Sequence, residues 1–130
     1  MKISSRLPRL VTASVAQDVA IGTSETVLVE RDVYVEGNTL MVAVFKAVYC
    51  NSSILGRADL ILRVLAGTEV IGGTVARVPN TSVDEYITVT GIKHFTASTT
   101  VTVRVTARDL SGLDMPVKAG SMLSILLIPL

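Results

Sequence analysis

With one cysteine, Cys50, the chain cannot close a disulfide within itself, so its fold does not depend on an oxidising compartment. Cys50 sits in a strand-like run and reads as a buried, inert thiol. A single histidine, His94, beside that single cysteine falls short of the ligand set a zinc site needs. There is no tryptophan, aromatics make up 4%, and the formal net charge is +1. The basic stripe with interleaved aromatics that marks a nucleic-acid binder is therefore missing, and no long-range field steers the chain toward an anionic surface. The longest apolar stretches fall far below the ~20 residues that cross a bilayer. The basic start, Met1 to Arg9, is followed by Thr12, Ser14, Gln17 and Asp18 rather than an apolar run, so no cleaved signal is expected. Residues 1–9 read as a flexible N-terminal arm; an arm reaching a neighbouring subunit is the second reading.

Catalytic patterns are equally scarce. No G-x-S-x-G elbow accompanies His94, which lies between Lys93 and Phe95 as a surface or packing residue. The acid pairs Asp84-Glu85, Asp109 with Asp114, and Glu30 with Asp32 lack the spacing of a calcium loop. Gly72-Gly73 is followed by no Lys-Ser or Lys-Thr and so is not a phosphate loop. The expectation is no catalytic residue, no metal and no cofactor. Asn51-Ser52-Ser53 and Asn80-Thr81-Ser82 fit the N-glycosylation triplet.

Charge is also sparse. Charged residues are 18% against 49% hydrophobic, where a soluble domain carries about 25% charged. One domain of 130 residues with so few charges leaves apolar surface uncovered. Burial between subunits is the simplest outlet.

What the chain does have is period-two alternation, almost throughout. Leu10 to Ala20 reads as a first strand. Val27, Val29, Val33 and Val35 then face one way, with Arg31 intruding, and Leu28, Glu30, Asp32 and Tyr34 the other. Thr39 to Tyr49 is apolar on both faces: Leu40, Val42, Val44 and Val48 with Lys46, and Met41, Ala43, Phe45, Ala47 and Tyr49. A strand of that kind is covered on both sides. Arg57 to Ala66, a Gly67-Thr68 turn and Glu69 to Val78 form a hairpin, with Gly72-Gly73 marking a bulge or a close backbone approach. Val83 to Thr90 follows, then Gly91 to Ala97, which reads as a connection with a strand-like alternative. Thr99 to Arg108 alternates most clearly, and Ser121 to Ile128 is again apolar on both faces. So greasy a terminal strand belongs in the middle of a sheet. Eight to ten short strands with turns every 8–12 residues predict an all-β, two-sheet antiparallel jelly-roll sandwich over residues 10–130.

Met115-Pro116-Val117-Lys118-Ala119-Gly120-Ser121-Met122-Leu123-Ser124-Ile125 resembles the last hairpin of tumour-necrosis-factor-like and complement-globular-head-like jelly rolls. Leu62 to Gly73 is similar to the mid-domain hairpin of viral and phage members of that fold. Ser121 stands where an acid is common in those domains. The resemblance implies a homotrimer whose inner sheets meet at an axis. The two doubly apolar strands would lie there, with Met41, Ala43, Phe45, Tyr49, Leu123, Ile125 and Leu127 as the subunit-interface candidates. It further implies a non-enzymatic structural protein of a virion, as capsid, turret or decoration subunit. Its partners would be copies of itself and other virion proteins, and it would reside in the virion or outside the cell. A receptor- or carbohydrate-binding trimeric head is the alternative. Gln17 is the only glutamine, and asparagine is confined to Asn38, Asn51 and Asn80. So few thermolabile amides fit a thermophilic source, while the low charge fraction argues the other way.

Overall fold

A computed structural model describes residues 6–50, 58–78, 83–111 and 115–130. Within them the chain forms β1 (Arg9–Ser14), β2 (Val19–Ile21), β3 (Thr26–Val35), β4 (Thr39–Tyr49), β5 (Ala58–Ala66), β6 (Glu69–Val78), β7 (Glu85–Phe95), β8 (Thr99–Asp109), β9 (Met115–Val117) and β10 (Met122–Pro129). The triplets at Asn51 and Asn80, and Asp114, lie outside the described residues.

The strands make two antiparallel sheets packed face to face. In the first, β10 lies between β1 and β4, and β7 flanks the other edge of β4. The short pair β2–β9 extends this sheet, β9 meeting β4 at Tyr49 and Val117. The second sheet has the order β3-β8-β5-β6. The pairings are nested: β1 with β10, β3 with β8, β4 with β7, and β5 with β6. With β1/β2 and β9/β10 each counted as one interrupted strand, this is an eight-stranded jelly roll, a long hairpin rolled into a sandwich. Turn chemistry supports the roll at its tight corners. Gly67 between β5 and β6, at φ 62°, and Gly120 before β10, at φ 90°, take the left-handed backbone that a side chain disfavours.

Alternation drives the packing. Met41, Ala43, Phe45 and Ala47 of β4 and Leu123, Ile125 and Leu127 of β10 point inward. They meet Leu60, Leu62 and Val64 of β5 and Val103, Val105 and Ala107 of β8 in one continuous core. As its doubly apolar pattern predicts, β10 lies inside its sheet rather than at an edge.

Three details differ from the sequence expectation. The first strand breaks into β1 and β2, because Val15 N–H turns to the carbonyl of Ser121 and Gly120 N–H returns to the carbonyl of Val15. In β3 a bulge between Val27 and Val29 turns Val27 out and drops Leu28 into the core. Residues 91–95 take the strand-like alternative over the connection: they are the second half of β7, paired in register with β4.

Candidate assembly interface

The two outward faces of the sandwich differ in chemistry. On the second sheet, polar side chains pair across strands. Arg104 and Glu30 lie 3.5 Å apart on β8 and β3. Thr102 Oγ1 donates to Asp32 Oδ1 at 2.6 Å. Thr106 Oγ1 donates to Glu25 Oε1 at 2.5 Å, and Arg63 approaches the same carboxylate at 3.9 Å. Such exposed pairs add little stability. They mark the β3–β8 half of this face as adapted to water, while Val70 and Val75 are exposed on its β6 edge.

The first sheet turns a different set outward. Leu10, Leu126, Val42 and Ile92 stand in direct register across β1, β10, β4 and β7, one apolar row spanning the sheet. Leu10 is 65% exposed, Ile92 57% and Leu126 36%. The adjoining rows are Thr12–Ser124–Val44–Thr90 on one side and Ile128–Leu40–His94 on the other. Further along lie Ser14, Met122, Lys46 and Thr88, then Val48 and Tyr86. Among the described residues that β1, β10, β4 and β7 turn outward, Lys46 is the one side chain charged at neutral pH. Its ammonium sits 4.9 Å from the Tyr86 ring centroid, a contact that tethers it near one end of the face.

This placement corrects the choice of interface residues. Met41, Ala43, Phe45, Tyr49, Leu123, Ile125 and Leu127 are all buried within the subunit's own core. A side chain enclosed by its own sandwich has no surface to offer a partner. The side chains left for contact are the alternate set on the same strands. Both faces of β4 and β10 are apolar, so composition alone does not distinguish core from contact; the opposing sheet does.

The other singled-out residues lie apart from this face or at its ends. His94 closes one end, where its Nε2 pairs with the Asn38 side chain. Asp109 is buried on β8, its Oδ1 accepting from Ser111 N–H at 2.9 Å and Ser111 Oγ at 2.5 Å, a local turn. Lys118 lies 3.2 Å from Asp84, and the hydrogen bond and charge of Asp84 raise its pKa above the usual lysine value. Burial, then the charge of Glu85, pushes the Tyr49 phenol up. In the N-terminal segment Arg6 donates to the carbonyl of Asn38 at 3.1 Å, and Arg9 to that of Tyr34, so both arginines hold the β3–β4 hairpin. Residues 1–5 lie outside the described residues.

Two further arrangements hold the fold together, of which the sequence indicated the second only as a close backbone approach at Gly72-Gly73. Ser121, fully buried, accepts from Val48 N–H at 2.9 Å and donates to the carbonyl of Lys118 at 2.8 Å, holding the break between β9 and β10 against β4. Gly72 and Gly91 meet where β6 crosses β7.

The chain is thus a jelly-roll domain whose first sheet turns out a nearly uncharged face crossed by one apolar row, while the second carries ion pairs and hydroxyl–carboxylate bonds on β3 and β8 beside exposed Val70 and Val75 on β6. No protein-family model matches it, and no curated protein does. Among solved structures it is similar to the VP2 subviral particle of infectious bursal disease virus, with a TM-score of 0.62 and 15% identity over 96% of this chain and 34% of that one. It is also similar to a chain of the Gx strain of the same virus, with a TM-score of 0.56 and 13% identity over 98% and 36%. This chain spans about a third of the length of each. At these identities the likeness is one of fold.

Proposed function

We propose that this chain is a non-enzymatic structural subunit of a virus particle, acting by self-assembly within the virion. The observation that carries the reading is the outer face of the first sheet, where the Leu10–Leu126–Val42–Ile92 row runs across all four strands and Lys46 is the one charge among the described residues. Monomers rarely leave a contiguous apolar row of this length, on a face with so little charge, to water. Likeness of fold to chains from a subviral particle and a virus supports the setting. A homotrimer is the order that the resemblance to tumour-necrosis-factor-like domains implies. Capsid, turret and decoration roles all fit that description, with other virion proteins as further partners.

The purified chain examined by size exclusion with light scattering, and by negative-stain microscopy, tests this reading. Discrete oligomers or closed particles are the expected result. A single chain at tens of micromolar, with no larger species, overturns it.

The receptor- or carbohydrate-binding head is the second reading. Tyr34 and Tyr86 are exposed as a binding head requires, but they lie on the outer faces of opposite sheets and cannot form one aromatic platform.

A further inference from the structure

We infer that the outer face of the first sheet packs against the same face of a second copy of this chain, across a two-fold axis lying along the Leu10–Leu126–Val42–Ile92 row. The inference rests on the self-assembly reading and names its surface and symmetry.

Charge argues for a second copy as occupant. A partner with a charged patch has only Lys46 to pair with, and Lys46 is already engaged with Tyr86. A face of Leu, Val, Ile, Met, Ser and Thr is complementary to itself. An isologous contact buries it without leaving a partner's charge unpaired.

Area agrees. Four strands about 4.8 Å apart, and about eight residues at 3.3 Å each, present about 500 Å² per copy before side-chain relief is counted. Two copies bury about 1,000 Å², the level that a specific interface must clear.

Lys46 then selects the axis. Face-to-face copies can be related by a two-fold running along the strands or across them. An axis along the strands brings Lys46 of one copy over Met122 of the other, within about one Debye length of its own counterpart. An axis across them, along the apolar row, reverses the strand direction. It sets each row residue over its own copy and moves the lysines to opposite ends. Lys46 is four residues from Val42, so the two ammoniums stand about 26 Å apart. The strands also remain aligned, as packed sheets prefer. The second sheet, with its ion pairs on β3 and β8, faces outward on both copies.

The test combines light scattering with crosslinking. The wild-type chain is expected to give an even number of subunits. Val42→Cys lies on the axis, so with sheet faces about 10 Å apart a short bis-maleimide should join two copies. Thr88→Cys, displaced from the axis, should not crosslink beyond the wild-type background from Cys50. Leu10→Lys, at a position exposed in the monomer, should weaken dimerisation about a hundredfold or more with thermal melting of the monomer unchanged. Val75→Lys, exposed on the opposite sheet, should leave the mass unchanged. A species of three chains, whether or not Leu10→Lys disperses it, overturns the two-fold contact and leaves the self-assembly reading, with the homotrimer that the resemblance implies, standing. A single chain at tens of micromolar overturns both. Equal crosslinking at Val42→Cys and Thr88→Cys overturns the axis.

Discussion

Gly72 of β6 and Gly91 of β7 touch backbone to backbone where the edges of the two sheets cross. A methyl group placed on Gly72 would lie 2.8 Å from the Gly91 Cα and 2.1 Å from the carbonyl oxygen of Thr90. Neither is a flexible side chain that could turn aside. This contact closes one side of the sandwich. Gly72→Ala should therefore cost about 3 kcal/mol, the upper range for overpacking a tight site. Gly91→Ala should cost less, about 1–2 kcal/mol, because its methyl would meet the Ile71 side chain at 2.7 Å, which can repack. Gly73→Ala meets nothing nearer than the Leu62 carbonyl at 3.2 Å and should be milder than Gly72→Ala. Urea unfolding midpoints for the three variants check the order; equal values for Gly72→Ala and Gly73→Ala would refute the contact.

The paired glycines were legible in the sequence as an interruption, but the residue they approach was not, since Gly91 lies 19 positions away from Gly72 on another sheet. The same boundary runs through the rest of the molecule. Alternation is a local property, so it reveals strands such as Thr99–Asp109 and the doubly apolar character of β4 and β10. Register is not local. The Leu10–Leu126–Val42–Ile92 row exists only once four strands distant in sequence are aligned. For that reason the interface candidates fell on the core face: two apolar faces of one strand look alike until the second sheet covers one. Ser121 was visible as a departure from the resemblance, but its bond to Val48 N–H, 73 positions away, was not.

The division of β4 and β10 into a core face and an outer face separates folding from assembly. Leu123 is fully buried, so Leu123→Asp places an unpaired charge in the core, costs several kcal/mol and should yield no folded monomer. Val44 is on the outer face and half-buried, so Val44→Asp should keep its fold and lose assembly. Circular dichroism melting and light scattering, run on both variants, check this. Loss of folding in both would place Val44 in the core instead.

Thr102 belongs to the polar face, yet a charge there is not free. Its hydroxyl donates to Asp32, so Thr102→Asp replaces a hydrogen bond with two neighbouring carboxylates. The expected loss is about 1 kcal/mol, shrinking as salt screens the repulsion. Thr102→Lys should restore much of it. Melting temperatures at low and high salt check the sign.

Ser121 tests whether the β9–β10 break is held by one side chain. Its Oγ satisfies the Val48 N–H and the Lys118 carbonyl from a fully buried position. Ser121→Ala leaves the Val48 donor without that acceptor and should cost about 1–3 kcal/mol. Amide exchange at Val48 should rise more than at Ala43, which sits in the same strand away from the break. Uniform change along β4 would mean a global loss of stability and no particular role for the hydroxyl.

Alkaline pH should destabilise the fold through Tyr49 and Lys118. Burial holds the Tyr49 phenol protonated above its ordinary value of 10.0, so the unfolded chain loses that proton first as pH rises. The stabilisation is fully present below about pH 10 and is lost as pH climbs through the folded-state value. Lys118, raised by its bond to Asp84, acts with the same sign: the folded form keeps its proton above the ordinary 10.5, and the ion pair disappears when that proton leaves. Both groups are silent at neutral pH, so the melting temperature should be flat from pH 7 to 9 on their account and fall above pH 10. Tyr49→Phe removes the ionisable phenol while keeping the ring in the core, and Lys118→Met removes the ammonium while keeping most of the stem. Each variant should show a shallower alkaline fall than the wild type, and the double variant the shallowest. A wild-type slope that survives in the double variant would assign the alkaline transition to other groups.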